Sequence, residues 1–436
     1  CYLREAEILE RAGDRAWEAS VRANIALLAS QPGARRSIGR DEIRELAQRA
    51  LDVAVDSGNR GAEISARRYL GQTLPVPENV AELERALALA RELGSAPAIR
   101  DALNDLAFAL AAGRPEDGRR AVELSGEAIE LARAGGGPVE LARALAVRFT
   151  VDRVVAGREE AIRSGLAALD AAERVRELQP DHAVRVATFA RWAPLYYRLA
   201  HHVLESGDSA SREADAGLAF EIIERMRARV LLDTLDAAGA SEIGDPDLPA
   251  RASRLRKLEE ISAVQRRLLD PGLDEDGRRA ALTELESLEL EERALRDEIA
   301  RADPAFARVR TPALPRLAEI REALHPNEAL LSFLIDDSGT GPVTRGVVRP
   351  WLLLVTSDSA RVYRLPKRAE IRLAAHMFLG LLERRDGSEA RGAADLYLML
   401  FEEALEDLPQ EIERLVVIPD RVLHRLPLGA LRPEAG

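Results

Sequence analysis

The sequence predicts a multidomain chain: an all-α superhelical repeat array (an α-solenoid), a helical hairpin, then an α/β module. Three observations carry this. Apolar residues recur at three- and four-residue steps from the start to about residue 240, broken at intervals by glycine-containing turns. Two charged helical stretches with narrow apolar stripes follow. Beyond Pro304 the pattern changes to strand-length apolar runs separated by helical ones.

Composition limits what such a chain does. Its 436 residues suit two or three domains, and a hydrophobic fraction of 47% is ample for packed cores. The single cysteine, Cys1, excludes a disulfide framework and a Cys-rich zinc site, and fits a reducing cytoplasm. No apolar run approaches the roughly 20 residues of a membrane span, and no signal-peptide pattern opens the chain. The expected location is therefore cytoplasmic. A net charge of −12 gives no electrostatic help towards nucleic acid or anionic lipid, so neither nucleic acid nor membrane is an expected partner. Of the 62 basic residues only Lys257 and Lys367 are lysine, which reads as GC-rich coding.

Residues 1–240 form the predicted array. Ile43, Leu46, Ala47, Ala50, Leu51 and Ala54 line one helix, which breaks at Asp56-Ser57-Gly58-Asn59. Leu83, Ala86, Leu87, Ala90 and Leu93 line another, and Ala121, Leu124, Ala128, Ile129, Leu131 and Ala132 a third. Each break leads into a second helix, at Arg60–Leu74, Pro97–Ala112 and Pro138–Val155. The equivalent alanines 54, 90 and 132 are spaced by about 36 and 42 residues, the period of an α-solenoid. Further helices at Glu159–Leu178, His182–Glu205 and Ala214–Ala238 continue the stack. The small residues and turns resemble tetratricopeptide repeats (TPR), without that family's regular aromatic and proline positions.

A linker with Gly239, Gly244, Pro246 and Pro249 ends the array, and residues 241–305 carry the rest of it and an antiparallel helical hairpin turning at Asp270-Pro271-Gly272. Its stripes are Leu255, Leu258, Ile261, Val264, Leu268 and Leu282, Leu285, Leu288, Leu295, Ile299. Residues 306–436 form the α/β module. Strands are predicted at Ala329–Ile335, Trp351–Thr356, Arg361–Leu365 and Leu415–Ile418, with helices at about 316–324, 369–384 and 394–407. The last strand is apolar throughout, as in a strand buried on both faces, yet no further strand follows, so an open apolar edge is expected there.

The segment Leu415-Val-Val-Ile-Pro419-Asp420-Arg-Val-Leu423-His424-Arg-Leu426-Pro427-Leu428-Gly-Ala430-Leu431, with the Pro312–Leu324 helix and the Asn327–Phe333 strand ahead of it, resembles the first half of a CHAT domain. That is a caspase-like module often found behind tetratricopeptide repeats, and Phe220–Leu235 resembles the helix that commonly joins the two. The motif positions are Pro419, Asp420, Leu423, His424, Pro427 and Leu431, with scaffold roles. The resemblance implies a partial caspase-like fold and, for the full-length protein, a cysteine peptidase of the caspase and separase clan, cytoplasmic and bacterial. Its repeats would bind a protein or peptide partner and its module would cut a protein substrate. The family's chemistry needs a histidine and a cysteine from two later strands. Neither segment is present, so the chain, starting at Cys1 without methionine, is expected to be an inactive fragment. The alternative is a non-catalytic TPR-like interaction scaffold.

No other residue pattern supplies the missing chemistry. Cys1 sits far along the chain from the module, and His424 adjoins the Pro-Asp turn, where a loop-fixing hydrogen bond is the expected role. His201 and His202 are adjacent on one helix, and His182, His325 and His376 lack partners at metal-ligand spacing. Asp336-Asp337-Ser338-Gly339-Thr340-Gly341 lacks the twelve-residue calcium pattern and no Gly-Lys-Ser/Thr occurs, so no catalytic, metal or cofactor residue is assigned.

Overall fold

The computed structural model describes residues 2–30, 39–135, 137–178, 182–207, 212–237, 248–268, 270, 272–303, 316–336, 349–384 and 389–433. Cys1, the linker residues Gly239, Gly244 and Pro246, the 304–315 segment and the 337–342 loop lie outside them. The chain divides into two units, the first holding residues 1–180 and 255–293, the second 181–254 and most of the remainder.

Among its described residues the first unit begins with the helices α1 (Tyr2–Ala12), α2 (Arg15–Ser30), α3 (Arg40–Asp56), α4 (Arg60–Gly71), α5 (Glu78–Leu93), α6 (Ala96–Ala111), α7 (Gly118–Gly135), α8 (Pro138–Val155) and α9 (Arg158–Glu177). Each packs on the next. Even-numbered helices also pack on one another, α2 on α4, α4 on α6 and α6 on α8, so they form one continuous layer. The alanine-rich stripes explain the close packing. Ala47, Ala50, Ala54, Ala86, Ala90, Ala121 and Ala128 have no exposed surface, and α6 inserts Leu103, Leu106 and Leu110 between its neighbours. Each buried leucine stabilises by about 1.5–3 kcal/mol.

The turns are built as the sequence indicates. The Asn59 side chain accepts the Ala62 N–H as an N-cap and donates to the Ala16 carbonyl, which ties the start of α4 to α2. Gly94 ends α5 at φ 67°, a left-handed conformation that favours glycine. At Gly71 a Cβ would lie 2.8 Å from the Leu83 side chain, so only glycine lets α4 approach α5 this closely.

Two long helices follow further on, α12 (Pro249–Leu268) and α13 (Glu275–Ala302). Ion pairs Arg267–Glu284 and Lys257–Glu291 fix them as antiparallel. Leu258, Ile261 and Val264 face Ala281, Leu285 and Leu288, and Leu178 at the end of α9 completes this cluster. Leu255, expected in the stripe, is 58% exposed. The buried face of α12 instead runs from Ala250 through half-buried Arg254 to Leu258.

The second unit contains α10 (His182–Ser206), α11 (Arg212–Ala237) and α14 (Leu317–Ala323). Then come β1 (Glu328–Leu334), β2 (Trp351–Val355), β3 (Ala360–Arg364), α15 (Arg368–Arg384), α16 (Glu389–Glu406) and β4 (Arg414–Ile418). The sheet order is β3-β2-β1-β4, with β4 parallel to β1 and the other pairs antiparallel. One face carries Leu331, Phe333, Leu352 and Leu354 against α15 and α16, and Phe333 meets Phe401 edge to face at 5.6 Å. On the other face Leu330, Leu353 and Val355 pack on Ala216 and Phe220 of α11 and Leu317 of α14. Helices thus cover both faces, as the sequence predicts. The helix at 214–238, read as a continuation of the repeat stack, is one of these covering layers.

β4 ends the sheet. Among the described residues it pairs only with β1, and Leu415 and Val416 are 41% and 42% exposed. An all-apolar run records a strand suited to burial, but one paired neighbour leaves it an edge. Among the described residues no helix is long and apolar enough to cross a membrane.

Candidate functional site

Because β1 and β4 are parallel neighbours, the segments leaving their carboxyl ends emerge side by side. Ile335 follows β1, and Pro419-Asp420 follows β4. The backbone N–H of Ile335 donates to Asp420 Oδ2 at 2.8 Å, joining the two ends. From α10 the Tyr197 hydroxyl donates to the same carboxylate, 2.9 Å from Oδ1 and 3.0 Å from Oδ2. Arg421 lies over the Tyr197 ring, its guanidinium carbon 5.2 Å from the centroid. Arg421 also has φ 51°, the one positive φ at a non-glycine residue among the described residues.

A second arginine enters from α11. Arg227 donates to Ser332 Oγ at 2.9 Å and to the Phe333 carbonyl at 2.6 Å, and pairs with Glu224. This explains how β1 carries a serine with no exposed surface on an apolar sheet face. One helical turn beyond Tyr197, His201 is 2% exposed, and among the described residues neither ring nitrogen has a hydrogen-bond partner.

The electrostatics follow from burial. Burial pushes the Asp420 carboxyl above the usual carboxylate range, although the Ile335 N–H, Arg227, Tyr197 and Arg421 all pull the other way. The Tyr197 hydroxyl is held well above its ordinary value, first by burial and then by the Asp420 carboxylate. Burial lowers the His201 imidazole to about 4 against the opposing pull of Asp336, so it is neutral at physiological pH.

The motif residues divide into two groups. Leu423 and Leu426 are buried in the core under α15 and α16, with Leu428 and Leu431 packed against it, and Asp420 organises the polar cluster. Pro419 is half-buried, while His424 and Pro427 are exposed. His424 makes no side-chain hydrogen bond among the described residues, because its 3-10 turn (Arg421–Arg425) directs Leu423 inward and His424 outward. Among the described residues the loop-fixing bond expected of it is not found.

Sequence reasoning missed Tyr197, Arg227, Ser332 and Arg421. Only Pro194, a helix breaker inside an apolar helical pattern, marks that part of α10 as unusual. Chemically the cluster holds rather than reacts. Ser332 Oγ is occupied by Arg227 and lies beyond solvent. Among the described residues no group of three His, Cys, Asp or Glu side chains is placed to hold a metal ion.

Comparison of the chain with protein-family models gives no match. Comparison with curated proteins gives none either.

Proposed function

We propose that this chain is the partner-binding and scaffold portion of a TPR-CHAT protein, its helical repeats binding a protein partner and thereby controlling a caspase-like module. The observation that carries the reading is the continuous layer of even-numbered helices. On it the exposed Val139, Arg143 and Val154 of α8 lie on one helix face, and Arg143 pairs with Asp101 of α6 at 3.4 Å. An extended surface of this mixed apolar and charged kind suits a peptide or protein rather than a small molecule. The arrangement of the Pro419–Leu431 segment, which buries its leucines and turns around Asp420, supports the scaffold role of the motif.

On this reading the 436 residues do not cut protein on their own, since their one thiol, Cys1, is remote in sequence from the module. The test has two arms. The intact tagged chain is used to recover partners from extracts of its source cells, alongside Val139→Glu/Val154→Glu and, on α5, Leu93→Glu. Loss of the same recovered protein with the α8 pair and not with Leu93→Glu supports the reading. Equal loss, or none, contradicts it. Cysteine-dependent cleavage of a protein by the chain alone contradicts the scaffold assignment.

A further inference from the structure

Three irregularities converge on two turns of α10 and the turn after β4. The first is Pro194, inside α10, which lacks the N–H that would bond one turn back and so weakens the helix at that point. Pro194, Tyr197 and His201 follow at spacings of three and four, so they share a helix face. The second is His201, buried with neither ring nitrogen hydrogen-bonded among the described residues, so the packing around this turn of α10 is not at its polar optimum. The third is Arg421, held at φ 51° without being glycine, a disfavoured backbone state that persists only where surroundings impose it.

One side chain touches both residues of the turn. Tyr197 holds Asp420 through its hydroxyl and carries the Arg421 guanidinium on its ring, so both residues of the turn are fixed by two different interactions. Asp420 in turn holds the Ile335 N–H and so the end of β1. The helix end of this connection has a weak point and the turn end is strained.

We propose that Tyr197 is a releasable latch: bending of α10 at Pro194 withdraws its side chain, Arg421 leaves its left-handed conformation, and Asp420 lets go of Ile335, uncoupling the ends of β1 and β4. This device is independent of what the repeats bind. It makes the turn after β4 responsive to the state of α10.

Hydrogen exchange of the full chain, read by mass spectrometry, tests this with two variants. Tyr197→Phe keeps the ring and removes the hydroxyl, and is expected to speed exchange of 419–426 and of the segment containing Ile335 by about tenfold. Exchange in α15 and α16 should stay within about twofold. Pro194→Ala restores the helix N–H and is expected to slow exchange of the same turn by about threefold, although alanine adds no bond to Asp420. If Tyr197→Phe changes nothing at the turn, or speeds the whole sheet unit alike, the latch is wrong. If Pro194→Ala leaves the turn unchanged, Tyr197 is a fixed strut and the proposal falls. Should Tyr197→Phe fail to fold, the Pro194→Ala result alone decides.

Discussion

The Tyr197 hydroxyl lies 2.9 Å from Oδ1 of Asp420, a residue 223 positions further along the chain. This bond and the one from Ile335 give a buried carboxylate its partners, and they make Asp420 the residue on which the turn after β4 depends.

Asp420→Ala leaves the Ile335 N–H and the Tyr197 hydroxyl buried without an acceptor. The expected loss is about 3 kcal/mol by urea denaturation. Asp420→Asn keeps a carbonyl oxygen for both donors, and burial already disfavours the charged form. Its expected loss is about 1 kcal/mol or less. Equal losses for the two variants would show that charge, not acceptor geometry, matters at this position.

Arg227 and Ser332 should behave as one unit. Arg227→Leu strands the Ser332 hydroxyl inside the sheet unit and is expected to cost about 2–3 kcal/mol. Ser332→Ala alone is expected to cost about 1 kcal/mol. In the double variant no hydroxyl is left to be stranded, so the combined loss should fall short of the sum by at least about 0.5 kcal/mol. Simple additivity would contradict the contact.

His201 makes stability depend on pH with a definite sign. Its imidazole is lowered from 6.5 to about 4, so between those values the unfolded chain binds more protons than the folded one. Stability therefore falls as pH drops from 6.5 towards 4, by an amount on the order of 3 kcal/mol when the window is crossed. His201→Phe should flatten the thermal-melting curve across this window and raise the melting temperature at pH 7. An unchanged slope would mean that His201 is not buried neutral.

Arg68 is a buried cation of the repeat array, donating to Asp105 at 2.8 Å and to Asp101 at 3.1 Å across α4 and α6. Burial works to raise the Asp101 carboxyl, but Arg68, Arg143 and Arg100 outweigh it and hold it below the usual range. Arg68→Met is expected to cost about 3–5 kcal/mol at pH 7, because two partly buried carboxylates lose their main partner. The penalty should shrink at strongly acid pH, as the pH falls through the depressed Asp101 value and that carboxylate takes up a proton.

Much of this architecture is legible in the sequence, for reasons particular residues make plain. The stripe Leu83, Ala86, Leu87, Ala90, Leu93 specifies a helix face, and its first four residues are buried while Leu93, at the helix end, is 52% exposed. The run Trp351–Thr356 contains β2, whose five residues are all buried between helices. What periodicity does not encode is pairing at a distance. Nothing in α10 announces that Tyr197 meets Asp420, since a tyrosine on an apolar helix face looks like any core aromatic. Leu415–Ile418 reads as a buried strand because composition reports what a strand can tolerate, while exposure depends on its neighbours. His424 sits in a recognisable motif, yet the motif's buried content is carried by Leu423 and Leu426.

The claim that the even-numbered helices form the partner-binding layer is tested most directly by site-specific photocrosslinking from the intact chain in source-cell extract. A photoreactive side chain at Val154 on α8 should capture a discrete protein, and one at Leu93 on α5 should not. Capture of the same protein from Leu93, with none from Val154, would contradict the account.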